Sequence, residues 1–153
     1  MNLEVLATFL EAANRATYAN RTMPKAPSSR PKSLDYHFEK DGLVYHDTYF
    51  GVRDFIDTEI VYESGVPTWG MNYFGFVLDD QVSENDVYGF LRTALMQSYN
   101  DIIPVRGPSR FDEADRQYRF AVEGGLANFS GIEEALFDDK VVYRCLVHGG
   151  LIK

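Results

Sequence analysis

Residues 54–77, DFIDTEIVYESGVPTWGMNYFGFV, read as two β-strands joined by a tight turn at Ser64-Gly65. Aromatic and β-branched residues crowd both runs, and the apolar positions alternate with polar ones. The predicted strands are 54–63 and 66–77. Alternation assigns faces: Trp69, Met71 and Tyr73 share one side of their strand, and Phe55, Asp57, Glu59 and Val61 share one side of theirs. A carboxylate at Glu59 between apolar neighbours is the unusual element. Burying it without a partner costs several kcal/mol.

Upstream, strands are expected at 34–39 and 43–50, set off by Asp41-Gly42 and Gly51. Pro24, Pro27 and Pro31 make 20–33 a loop. Before it, Asn2 is a good N-cap, and Leu3, Leu6, Phe9, Leu10 and Ala13 recur at helical spacing to about residue 16. Downstream, Ser83 and Asp86 resemble a capping arrangement, and Val87, Phe90, Leu91, Ala94 and Leu95 predict a second helix over 84–99. Residues 101–114 read as irregular. Strands at 115–123, 128–137 and 140–148 complete the chain, with a turn at Asp138-Asp139.

The order helix, Pro-containing loop, meander occurs twice. A shift of 81 aligns the helices (Leu6 with Val87, Phe9 with Phe90, Ala13 with Ala94, Tyr18 with Tyr99), and a shift of 74 aligns the strands (Phe55 with Phe129, Glu59 with Glu133, Trp69 with Tyr143, Met71 with Cys145). The expected fold is α+β in one domain, 1–153. Two α–β-meander repeats, about 1–78 and 79–153, form a curved antiparallel sheet with two helices packed on it. Duplicated halves predict a cleft between them, a natural ligand position.

Composition narrows the function classes. Among 153 residues, 45% are hydrophobic and 14% aromatic, which excludes a disordered tail. The formal charge of −8 disfavours phosphate backbones, so no direct nucleic-acid partner is expected. No apolar run is long enough for a membrane span. Met1-Asn2-Leu3-Glu4 lacks a basic leader region, and the lone Cys145 reads as a buried packing residue; both fit a cytoplasmic location.

Four strings carry a resemblance: Tyr45-His46-Asp47-Thr48-Tyr49-Phe50-Gly51, Trp69-Gly70-Met71-Asn72-Tyr73-Phe74-Gly75, Arg106-Gly107-Pro108-Ser109, and Tyr143 through Lys153. In this order the chain resembles a bacterial family known as domain of unknown function 5680. Some relatives carry such a domain behind a phage-repressor-type helix-turn-helix regulator, which implies sensing or effector roles for them. Here the first helix is expected to belong to the repeat instead. The resemblance transfers no catalytic role. The chain departs from the family pattern at Asp57, where a glycine is expected, as at Gly131. In topology only, the repeat is similar to GyrI-like effector-binding domains, which bind cationic or aromatic molecules in a cleft containing a glutamate.

Several side chains are candidates for chemistry. His46 and Asp47 adjoin on a strand and so point to opposite faces. His46 shares its side with Val44, Thr48 and Phe50, and the shift of 74 matches it to Phe120. It reads either as a hydrogen-bonded structural histidine or as an acid/base group. His148 lies in His148-Gly149-Gly150, where close backbone approach is expected. Scattered histidines and the lack of any Cys-x-x-Cys spacing argue against a metal site, and no nucleotide or hydrolase motif implies a cofactor. Basic residues gather in the two loops, Arg21, Lys25, Arg30 and Lys32 in the first, Arg106 and Arg110 in the second. Arg106 either pins its turn or receives an anionic group.

The reading favoured is binding of a small molecule in the inter-half cleft. Tyr45, Tyr49, Trp69 and Tyr73 supply aromatic contact, Glu59 and Glu133 orient polar or cationic groups, and Arg106 receives an anionic one. One alternative is an enzyme using His46 or His148 with a glutamate. Another is a protein-interaction module, including a homodimer through an edge strand.

Overall fold

Asn2 starts the first helix, α1 (Leu3–Ala16), by accepting the N–H groups of Glu4 at 2.8 Å and Val5 at 3.4 Å. The computed structural model describes residues 1–20, 22–97 and 101–153. Ser83 caps α2 (Glu84–Leu95) by accepting from Asn85 N–H at 3.2 Å. The second helix stops earlier than the 99 expected. Gln97 N–H reaches back only three residues, to Ala94 O at 3.0 Å, so the last turn tightens. Tyr99 and Arg21, singled out in the sequence, lie outside the described residues.

The strands are β1 (Leu34–Lys40), β2 (Leu43–Gly51), β3 (Phe55–Glu63), β4 (Val66–Val77), β5 (Arg110–Glu113), β6 (Arg116–Gly125), β7 (Asn128–Phe137) and β8 (Lys140–Leu151). They form one antiparallel sheet in the order β1-β2-β3-β4-β8-β7-β6-β5. Three hairpins turn where the sequence marks them. Asp41-Gly42, Ser64-Gly65 and Asp138-Asp139 each place both residues at positive φ, which matches the strand twist. The fold is thus α+β, with an open sheet whose edges are β1 and β5.

Strand β5 lies within the stretch expected to be irregular. Phe111 is its only apolar residue, and the turn after it uses Ala114 at φ 54° with no glycine to mark it. Each half therefore contributes four strands, and the halves join through β4 and β8. Tyr73 stands opposite Val147 on this central pair, a separation equal to the shift of 74 that aligns the strands. The register also corrects one expectation. Glu59 is paired with Asp47, and Glu133 with Phe120. Asp47, not His46, holds the place that Phe120 holds in the other half. The equal-shift alignment slips by one residue there, and a one-residue slip exchanges the faces.

Both helices cover the same face of the sheet. Leu6, Phe9, Leu10 and Ala13 of α1, and Val87, Phe90, Leu91 and Ala94 of α2, are buried against it. Trp69, Met71, Tyr73, Tyr143, Cys145 and Val147 form the middle of this core, as alternation predicted. At Gly149 a Cβ would lie 2.4 Å from Gly70 O, so the close approach expected at His148-Gly149-Gly150 is a contact between β8 and β4. Both sheet edges are blunted: β5 is four residues long, and Ala26 N–H bonds Asp35 O across β1. Among the described residues, no helix is long and apolar enough to cross a membrane.

Candidate functional site

Glu59 and Glu133 sit at the same place in their meanders, each on the middle strand's covered face, and both are buried. Their surroundings differ. Glu133 receives Arg106 Nε at 3.1 Å and Nη2 at 2.8 Å, Tyr118 Oη at 2.8 Å and Tyr143 Oη at 3.2 Å. Its charge is matched and both its oxygens are occupied. Arg106, held by this carboxylate against a burial that opposes its charge, keeps its proton far above neutrality. Of the two readings left open for Arg106, the geometry is that of an arginine pinned to an acid within the chain.

Glu59 has no such cation. Tyr73 Oη donates to its Oε1 at 2.9 Å, and Oε2 has no partner. Two further carboxyls adjoin it. Asp47 lies across from it on β2, and Asp57 precedes it by two on the same face of β3. Both are buried, and Asp47 Oδ1 and Asp57 Oδ1 also lack partners. The other half fills these places differently. Phe120 stands where Asp47 stands, and its ring lies 2.9 Å from where a Cβ on Gly131 would be. Gly131 makes room for that ring. Asp57, the departure noted in the sequence, replaces the ring-over-glycine packing with a pair of acids.

Burial is the largest influence on the titration of this cluster, opposed in part by the Arg106 charge, which acts on all three acids. It pushes Glu59 up to about 8, with the Asp57 charge adding to the rise. Burial raises Asp57 to about 6, against hydrogen bonds from Tyr73 and Asp47 that pull it down. It raises Asp47 well above the ordinary carboxyl range, with the Asp57 charge second, so of the two aspartates Asp47 is the one that holds its proton more firmly.

Above the cluster is a cavity of about 230 Å³, smaller than the roughly 300–1,000 Å³ of drug-sized sites. Asp57 opens into it. Tyr18, Tyr49, Phe55, Tyr73 and Tyr88 supply its walls, and Lys25, Glu84, Asn85 and Arg92 stand at its sides with Arg106. The walls come from both halves, since α2 and Arg106 close over strands of the first. Tyr18 and Arg106 also line a second space of about 20 Å³, the size of one water site, that reaches Glu59 and Tyr45. The Arg106 guanidinium, while bonded to Glu133, lies 4.8 Å over the Tyr73 ring.

The residues singled out from sequence fall into three groups. Tyr49, Tyr73 and Arg106 line the larger cavity, and Tyr45 and Glu59 lie beneath it. Trp69 and Glu133 belong to the packed interior; the Trp69 indole donates to Leu126 O at 2.9 Å and stacks on Phe129 at 6.0 Å. His46 and His148 lie away from the cavity. His46 shares its side of the sheet with Thr48, and its Nε2 bonds Asp35 Oδ2 at 2.9 Å. Asp35 is buried, which pushes its carboxyl up, yet hydrogen bonds from Ser29, Ser33 and His46 hold it well below the usual range. His148 is exposed beside Asn72 on the uncovered face. Neither histidine approaches Glu59 or Glu133.

Sequence reasoning passed over Tyr18, Phe55, Tyr88 and Arg92 as site residues. Tyr18 entered only as the repeat partner of Tyr99 and Phe55 only as a strand-face residue, while nothing local marks Tyr88 or Arg92; tertiary packing brings the four to one space. Asp57 was visible as a polar residue on a buried face. Among the described residues, no group of three His, Cys, Asp or Glu side chains converges to hold a metal ion. Burial pushes the Cys145 thiol up to about 12, as suits an inert packing residue.

The sequence profile of a family described only as a domain of unknown function, DUF5680, matches residues 47–152. No curated protein and no solved structure matches the chain.

Proposed function

From membership of the DUF5680 family, whose description assigns no activity, and from the geometry above, we propose that this chain binds a small organic cation in the cavity over Asp57. One observation carries the reading. Three buried carboxyls, Asp47, Asp57 and Glu59, keep partnerless oxygens beneath an aromatic-walled space, whereas the corresponding acid of the other half has its own guanidinium. Buried polar atoms are nearly always paired, so several orphans in one place call for a partner that arrives from outside. A protonated amine supplies both charge and N–H donors, and tyrosine faces favour cations by their ring quadrupole. Such a ligand meets the acid floor as Arg106 meets Glu133.

The reading is of a binding domain, sensor or accessory in kind. An acid/base enzyme built on histidine finds no support in the cavity, because both candidate histidines lie outside it.

A thermal-shift screen with small amines tests the proposal. At about 100 times its dissociation constant a ligand adds about 2.7 kcal/mol, which moves the melting temperature by roughly 5–10 °C in a domain of this size. Benzylamine is expected to produce a shift that benzyl alcohol does not. Equal shifts, or none from any amine, would remove the acid floor as a binding site.

A further inference from the structure

The cavity is bipolar. Its floor is Asp57, while its wall carries two cations, Lys25 and Arg92, with one further carboxylate, Glu84; neither cation makes an ion pair among the described residues, with Glu84 or any other acid. Both are propped on aromatic rings. Lys25 Nζ lies 4.8 Å from the Tyr49 ring centroid and donates to the Tyr49 hydroxyl. The Arg92 guanidinium lies 4.8 Å over the Tyr18 ring, with only a 3.4 Å contact to Tyr88 O in the same helix. In a chain of net charge −8, two side chains of this kind aimed into one aromatic pocket, neither matched with a carboxylate, are the complement of an anion.

Tyr49 measures the separation of the two poles. Asp57 is the residue directly across from Tyr49 in the β2–β3 register, so the acid lies at the backbone end of that side chain. Lys25 lies at its hydroxyl end. The negative floor and the positive rim are thus one tyrosine side chain apart, with rings filling the interval. Resting on the cation reading above, we infer that the ligand is a zwitterion whose ammonium and carboxylate are separated by an aromatic or similarly apolar spacer of that length, ammonium inward to Asp57 and carboxylate outward to Lys25 and Arg92. An α-amino acid backbone alone, with its charges on neighbouring carbons, cannot reach both poles.

Three probes that share a benzene ring separate the terms. Benzylamine carries the cation alone, benzoate the anion alone, and 4-(aminomethyl)benzoate both, at opposite ends. Titration calorimetry at pH 7.5 is expected to give 4-(aminomethyl)benzoate at least about tenfold tighter than either single-charge probe, because it makes a charge-assisted contact at each pole. Lys25→Gln, a change at an exposed position that leaves the core intact, should narrow the gap between 4-(aminomethyl)benzoate and benzylamine several-fold. Lys25→Gln with Arg92→Gln should close it to within about twofold. If benzylamine binds and the added carboxylate brings no gain, or if the gap survives both substitutions, the zwitterion inference fails while the cation site stands. If benzoate binds as tightly as the zwitterion, the site takes an anion and the inference falls. If no probe binds, the cation reading falls and the inference with it.

Discussion

Arg106 clasps Glu133 with Nε and Nη2, at 3.1 and 2.8 Å, across 27 residues of sequence and with both side chains buried. The matching acid, Glu59, is met by tyrosine hydroxyls, with no guanidinium bonded to it. One half of the molecule carries its counter-ion within the chain; the other presents acids to a cavity. The functional account follows from that difference.

The first prediction concerns the internal pair. Arg106→Ala leaves Glu133 buried without its cation and should cost about 3–5 kcal/mol in urea unfolding. Arg106→Met combined with Glu133→Gln removes both charges and should recover much of that loss. Equal destabilisation by the single and double variants would mean that shape, not charge matching, matters at this position.

How much of this was legible in the sequence depended on the range of the interaction. The three hairpin turns are local chemistry, and Asp-Gly, Ser-Gly and Asp-Asp announced them. The faces of β4 and β8 followed from alternation, which placed Trp69, Met71 and Tyr73 inside. Strand β5 was hidden because four residues with one phenylalanine carry almost no period. The opposite fates of Glu59 and Glu133 were illegible for a deeper reason. Their patterns are alike, and what separates them is a loop arginine that reaches only one. The histidines could be assigned to a face, but the cover that the preceding loop gives Asp35 on that face, where Ser29 N–H donates to its Oδ2, is set by tertiary structure.

The second prediction is the pH profile of the unliganded protein. Glu59 and Asp57 titrate near 8 and 6 when folded, above their ordinary values. Between about pH 4 and 8 the folded chain therefore holds more protons at these sites than the unfolded chain, and stability falls as pH rises. Asp35 acts oppositely. Its folded value is depressed, so its contribution is present above about pH 4 and is lost as pH falls. Stability should peak at about pH 4–6 and decline by more than about 1 kcal/mol toward pH 8.5. Denaturant unfolding across this range checks it, and Glu59→Gln with Asp57→Asn should flatten the alkaline limb. A native profile already flat from pH 5 to 8.5 would contradict the desolvated cluster.

A third prediction separates the core from the site. Trp69 fills the interior and satisfies Leu126 O. Trp69→Phe should cost on the order of 1–3 kcal/mol, since it leaves that carbonyl unpaired, yet should leave the affinity for benzylamine within about twofold. Loss of binding in a variant that remains folded would return Trp69 to the ligand site.

The most direct measurement is calorimetric titration of benzylamine into wild type and Asp57→Asn at pH 7.5, each repeated in buffers of different ionisation enthalpy. A cation over the carboxyl cluster should bind wild type with net proton release, because it draws Glu59, which titrates near 8, toward its charged form, whereas Asp57, near 6, is already charged at this pH. Affinity should fall at least about tenfold in the variant, with less proton release. Equal affinity in both proteins, or binding with no proton released, would contradict the claim that these buried acids await a cation.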